Sequence, residues 1–164
     1  MKQTLPSAVF QGVLMTDIHT WLTTRMQAMP PVRMMQVALA EVGDTHVCLS
    51  APLADNLNDK DSAFGGSLVA LMTLAGWALA SAQLLRAGFE ADVYVADSEV
   101  KYLKPVKTDL LARAQAVSPE SLQAFVAAFA ARGKARISLQ VCMQLADGTS
   151  ACQLTGRYVA WARA

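Results

Sequence analysis

Gly65 and Gly66 stand at the mouth of the most apolar segment of the chain, shortly after the polar stretch Asp59-Lys60-Asp61-Ser62. Residues 65–85 carry no charge at all, a run of 21. A helix starting there presents its first backbone N–H groups without intrahelical partners and with partial positive charge. Glycine places no Cβ in front of them, so a carbonyl oxygen can approach. If that oxygen gains negative charge in a reaction, the same donors form an oxyanion hole. A second reading stays open: the glycines serve only close packing of the helix against a strand. Thr73 lies seven residues after Gly66, about two helical turns, and so falls under the same face.

A proton acceptor has four candidates. Asp59 and Asp61 precede the helix, and Asp97 and Glu99 sit in a β-rich run. Asp97 is preferred, because Val93-Tyr94-Val95-Ala96 before it and Val100 after it predict partial burial. Burial would raise a carboxyl pKa toward that of a useful general base. Its alternative is a strand-edge charge in water. Asn58 reads as a turn residue. Lys101, Lys104 and Lys107 could meet phosphates or simply solvate a surface. His19 and His46 stand outside every motif, and no metal-ligand cluster is visible. Cys48, Cys142 and Cys152 suggest neither a disulfide framework nor a zinc site.

These residues need elements to position them. Helical spacing from Val9 to Met29 ends at Pro30-Pro31. Strand-like patterns follow over Val32–Val42 and Thr45–Leu53, with a tight turn at Gly43-Asp44. After the apolar helix come strands over Ala91–Val106 and Asp109–Val117. A short amphipathic helix over Pro119–Arg132 begins with proline and closes on Gly133. Strands over Lys134–Ala146 and Thr149–Ala162 are joined at Asp147-Gly148. A two-residue loop there pairs Met143 with Cys152 and Cys142 with Gln153, so Cys142 and Cys152 point opposite ways and do not bridge. The order predicts an α+β fold in which one antiparallel sheet of about six strands curls around one apolar helix.

At 164 residues the chain suits one domain, residues 1–164, with a sizeable core. It is 54% hydrophobic and 16% charged, more apolar than a monomer readily hides, which points to a homo-oligomer. A net charge of +1 gives no electrostatic case for nucleic acid or an anionic membrane. Residues 65–85 are long enough to span a bilayer. Ser67, Thr73, Gly76, Ser81 and Gln83 dilute the run, and no Lys/Arg cluster flanks it, so a buried helix and no membrane are expected. The N-terminus does not read as a secretory signal, and a reducing cytoplasm is the default compartment.

Asn58, the DKDSAF stretch, Gly65-Gly66 and the apolar helix resemble the loop and helix start of hotdog-fold thioesterases. VKYLKPVKTDLLARA, residues 100–114, looks like the strand-turn-strand of the same superfamily. FGGSLVALMTLAGW together with ADVYVADSEVKYLKPV is similar to a narrower group, thioesterase-like domains found behind a bacterial acetyltransferase domain; no acetyltransferase domain fits in this chain. The resemblance implies a hotdog fold and hydrolysis of an acyl-CoA or acyl-carrier-protein thioester at a site between two chains, in a homodimer or a dimer of dimers. No cofactor and no metal are implied. Gly65 corresponds to the glycine whose N–H polarises the carbonyl, and Asn58 to the loop asparagine that places water or thioester. Lys60 falls where relatives carry histidine. Thr73 falls where they carry the acidic base or nucleophile, so the base would come from elsewhere, with Asp97 first. Lys60, Gly66, Ser67, Lys101 and Lys104 would contact substrate. The missing helix carboxylate leaves open a non-catalytic protein that binds acyl thioesters.

Overall fold

The computed structural model of the chain describes residues 14–163, with side chains from Ile18 onward. Its order is α1 (Leu14–Gln27), α2 (Pro30–Met34), β1 (Ala38–Val42), β2 (His46–Ala51), a 3-10 turn (Leu53–Asp55), α3 (Gly65–Arg86), β3 (Ala91–Tyr102), β4 (Leu110–Ala116), α4 (Pro119–Arg132), β5 (Lys134–Gln144) and β6 (Ser150–Ala162). The first part of the expected helix, residues 9–13, lies outside the described residues.

Six strands form one antiparallel sheet in the order β1-β2-β4-β5-β6-β3. The α+β prediction of a sheet wrapped on an apolar helix holds. Along β5, every second residue from Ala135 to Met143 is buried, the period-two signature of a sheet with one covered face. That face is lined by Val47, Leu49, Ala112, Ala114, Val141 and Leu154, packed against Leu71, Ala75, Ala78, Leu79 and Ala82 of α3 in one core. α3 is long and apolar enough to cross a membrane, yet 67% of its most apolar window is buried inside the protein. It is the core helix, as expected. Ile18, Leu22 and Met26 of α1, spaced by four, are all buried in the same core.

Two expectations need correction. Residues 32–37 are not strand. Pro30 and Pro31 end α1 and also open α2, because proline suits the first helical turn. Gln36, at φ 54°, then reverses the chain into β1. The second concerns the β5–β6 connection. Met143 pairs with Cys152 and Cys142 with Gln153 as predicted, but the loop is longer than two residues. Leu145 N–H bonds Thr149 C=O, Gly148 adopts φ 80°, and a bulge after Met143 restores the register. All three cysteines are free, and burial raises each thiol above its ordinary range.

Tyr158 fixes α3 on the sheet. Its buried hydroxyl donates to the Thr73 carbonyl at 2.9 Å. Glycine at positions 76 and 156 clears the slot, since a Cβ at Gly76 would fall 2.1 Å from that hydroxyl.

Candidate active site

The two longer described helices other than α1 begin in contrasting ways. α4 is capped by Ser118, whose side chain accepts from Ser121 N–H, and it closes on left-handed Gly133. α3 has Phe64 at its N-cap and no side-chain cap. Its first hydrogen bond runs from Leu68 N–H to Phe64 C=O at 3.1 Å. The amides of Gly65, Gly66 and Ser67 therefore precede the intrahelical ladder at the positive end of a 22-residue helix.

That end opens into a cleft of about 380 Å³, lined among others by Asn58, Lys60, Gly65, Leu68, Tyr102 and Lys104. Four of the sequence candidates, Asn58, Lys60, Gly65 and Lys104, thus meet at one place. Gly65 is not required by packing: a Cβ there would lie 3.4 Å from the Tyr102 ring, an ordinary contact. At Gly66 a Cβ would strike the Phe64 ring at 2.3 Å. Phe64 is 55% exposed, so its ring could swing away.

Asn58 organises the loop. Its Oδ1 accepts from Lys60 N–H at 2.8 Å and Ser62 N–H at 3.1 Å, and its Nδ2 donates to Ser62 Oγ at 3.0 Å. This is the Asx-turn role its residue type suggests. Phe64 N–H bonds Asn56 C=O at 2.7 Å, and Ala63 N–H bonds Val106 C=O at 2.7 Å. The loop is so tied to the β3–β4 connection, and the helix start is presented in a defined orientation. Lys60 pairs with Asp59 at 2.7 Å. Lys104 Nζ reaches Thr149 Oγ1 at 3.4 Å.

The remaining candidates lie apart. Ser67 is buried and Gly66 exposed at the helix start. Thr73 is half-buried two turns down α3 and does not line the cleft. Lys101 is exposed and pairs with Glu99 at 3.6 Å. Asp97 is not buried within the chain, contrary to expectation: its side chain is 58% exposed and pairs with Arg157. The reason is topological, because among the described residues β3 is an edge strand bonded only to β6. Residues 94–99 stand clear of the core on both faces. Among the described residues, no carboxylate lines the cleft.

Tyr102 was missed by sequence reasoning. It ends the edge strand, faces Gly65 across the cleft, and its hydroxyl lies 3.4 Å from the Gly65 carbonyl. Its place in VKYLKPV, just before the chain turns, was the available signal. The sequence also concealed a cluster of Glu41, His46 and Cys48 at the other end of the molecule.

A long apolar helix wrapped by this six-stranded sheet, with an uncapped glycine start facing a cleft, defines the hotdog class. The family described as "Putative thioesterase (yiiD_Cterm)" matches residues 19–162, and the chain belongs to that family. No curated protein matches it. Among solved structures, a protein of unknown function from Chlorobaculum tepidum is 25% identical, with a TM-score of 0.83 over 90% of this chain and 96% of the other. A protein from Shewanella oneidensis, titled "putative thioesterase", is 30% identical at TM-score 0.75, covering 90% of this chain and 99% of its own. A third, from Pseudomonas aeruginosa and titled "Probable Thioesterase", shares the fold at 20% identity and TM-score 0.71, covering 90% and 95%.

Proposed function

We propose that the chain hydrolyses an acyl thioester carried on coenzyme A or an acyl carrier protein, with the carbonyl oxygen held by the Gly65 amide. The uncapped start of α3, open to the cleft, is the observation that carries this reading. Water attacks the thioester carbonyl, the oxygen becomes an oxyanion, and the helix-end donors stabilise it without reorganising. The carbon–sulfur bond then breaks, giving carboxylate and thiol. The amides of Gly66 and Ser67 follow that of Gly65 in the uncapped first turn and would add donors beside it. Lys60 and Lys104 flank the cleft where phosphates of the carrier would pass, with Lys101 further along β3. Release of free thiol from acyl-CoAs of graded chain length tests this. Saturable turnover supports it; binding without turnover favours a non-catalytic acyl-thioester binder, the second reading that a cleft lacking a carboxylate sustains.

The site is completed by a second copy of the chain. Among the described residues β3 leaves one edge unpaired over twelve residues, with Tyr94 59% and Val95 42% exposed. Such an edge invites strand pairing. Tyr102 and Leu103, at the end of that strand, line the cleft, so a partner docked on β3 would reach it and bring Asp97 or Glu99 as base. A dimer or dimer of dimers is therefore expected by light scattering at micromolar concentration. A monomer would remove the source of the base.

Thr73→Asp should raise turnover or leave it intact, because a carboxylate there stands under the helix face of Gly66. Its Cβ tilts toward the helix N-terminus. An unpaired carboxyl in this half-buried position has a desolvation cost, so thermal unfolding is measured beside the rate. A folded variant with lower turnover than the parent would remove Thr73 from the base position.

A further inference from the structure

Three metal-ligating side chains that the proposed hydrolysis does not use meet at the far end of α3. Glu41 is on β1, and His46 and Cys48 are on β2. His46 Nε2 lies 2.8 Å from Glu41 Oε1, and Cys48 Sγ lies 3.8 Å from Glu41 Oε2. One donor atom from each residue falls within 4.8 Å of the other two. We propose that Glu41, His46 and Cys48 bind a divalent cation of the zinc class, with water as the fourth ligand.

Local structure gathers these donors. Leu39 pairs with Leu49, but Glu41 pairs with Cys48, so a bulge shifts the register between them. The bulge sets Glu41 directly opposite Cys48; bulges commonly re-aim side chains in this way. Gly43 makes room for the imidazole, since a Cβ there would meet the His46 ring at 2.2 Å. The turn itself is fastened to the last turn of α3: Gln83 Nε2 donates to Asp44 C=O at 2.7 Å and Arg86 Nη2 to Gly43 C=O at 2.8 Å.

The donor set fits the ion. Nitrogen, oxygen and sulfur together suit zinc, which is borderline in softness. Zinc–ligand bonds of about 2.0–2.3 Å imply tetrahedral ligand separations of roughly 3.3–3.7 Å. One donor atom from each residue already lies within 4.8 Å of the other two, so rotamer shifts of about an ångström bring them to those separations. Glu41 carboxylate and Cys48 thiolate would together balance a dication, the thiol proton leaving to solvent. Arg113 lies outside the three donors, its Nη1 3.5 Å from Cys48 Sγ and 3.8 Å from Glu41 Oε2. There it acts as the outer hydrogen-bonding partner that ligands of bound metals usually have. Glu41 remains partly open to water, leaving a coordination position on the solvent side. The 22 residues of α3 span about 33 Å, so this site, beside the turn fastened to the last turn of the helix, ties β1 to β2 away from the cleft.

The test uses the full chain, stripped with chelator, desalted, and titrated with zinc and with cobalt(II). One equivalent of zinc per chain is expected, with a rise in unfolding temperature. Cobalt should give the sulfur-to-metal charge-transfer band of a thiolate ligand. Cys48→Ser should abolish that band, Glu41→Gln and His46→Ala should lose the bound zinc, and Arg113→Gln should weaken binding about tenfold or more. Cys142→Ser should change nothing. If Cys48→Ser does not fold, the parent's cobalt spectrum and the conservative Glu41→Gln decide. The proposal is overturned if the parent binds no zinc, if the band survives in Cys48→Ser, or if Cys142→Ser removes it. In the first case Glu41 is simply a hydrogen-bond partner of His46 and an ion-pair partner of Arg113.

Discussion

Gly65→Val should abolish thioester turnover and weaken binding of thioester analogues while the protein still folds. A Cβ at position 65 lies at ordinary contact distance from the exposed Tyr102 ring, so the added carbon itself meets no backbone or core atom. Gly65 needs no left-handed backbone, being absent from the positive-φ residues. The branched side chain would instead occupy the cleft in front of the amide and push the carbonyl away. Loss of one oxyanion donor raises the barrier by about 3 kcal/mol, roughly a hundredfold or more in rate. Steady-state kinetics beside thermal unfolding separate the outcomes. A folded variant with parental kinetics would mean that the glycine contributes nothing to chemistry.

The largest effect on stability is expected at Gly76. In Gly76→Ala the new methyl would lie 2.1 Å from the Tyr158 hydroxyl and 2.4 Å from its ring carbon. Tyr158 is wholly buried and cannot swing into solvent. Either the helix lifts from the sheet or the tyrosine moves and its bond to the Thr73 carbonyl breaks. Overpacking of this kind costs about 2–3 kcal/mol, a fall of roughly 5–10 °C in Tm for a chain of this size. Tyr158→Phe in the same background should recover part of the loss, because the clashing oxygen is gone. A Gly76→Ala protein as stable as the parent would show that the helix–sheet spacing at Tyr158 is adjustable.

Much of this was legible because the pattern of burial is written locally. The uncharged run after Gly65-Gly66 announced a helix buried on nearly all sides, and α3 is that helix. Asp147-Gly148 announced the hairpin between the last two strands, and β5 and β6 form it. Pro119, Glu120 and Gly133 marked both ends of α4. The failures have physical causes. Pro30-Pro31 carry two meanings, stop and start, and spacing alone does not choose. Asp97 sits among β-branched residues, yet its strand is a sheet edge, a fact of topology that no local pattern contains. Tyr102 faces Gly65 because β3 pairs with β6 up to Cys152, a long-range register that local pattern does not contain. The Glu41–His46–Cys48 cluster depends on a bulge that brings residue 41, not residue 40, opposite residue 48.

The central claim is that the Gly65 amide polarises a thioester carbonyl in the cleft at the start of α3. The most direct measurement is the isotope-edited infrared stretch of a ¹³C-labelled carbonyl in a non-hydrolysable acyl-CoA analogue, with methylene in place of sulfur, bound to the parent and to Gly65→Val. A shift to lower frequency is expected on binding to the parent, and no shift in the variant at concentrations that force it to bind. A carbonyl band unmoved on binding to the parent, or moved equally in both proteins, would contradict it.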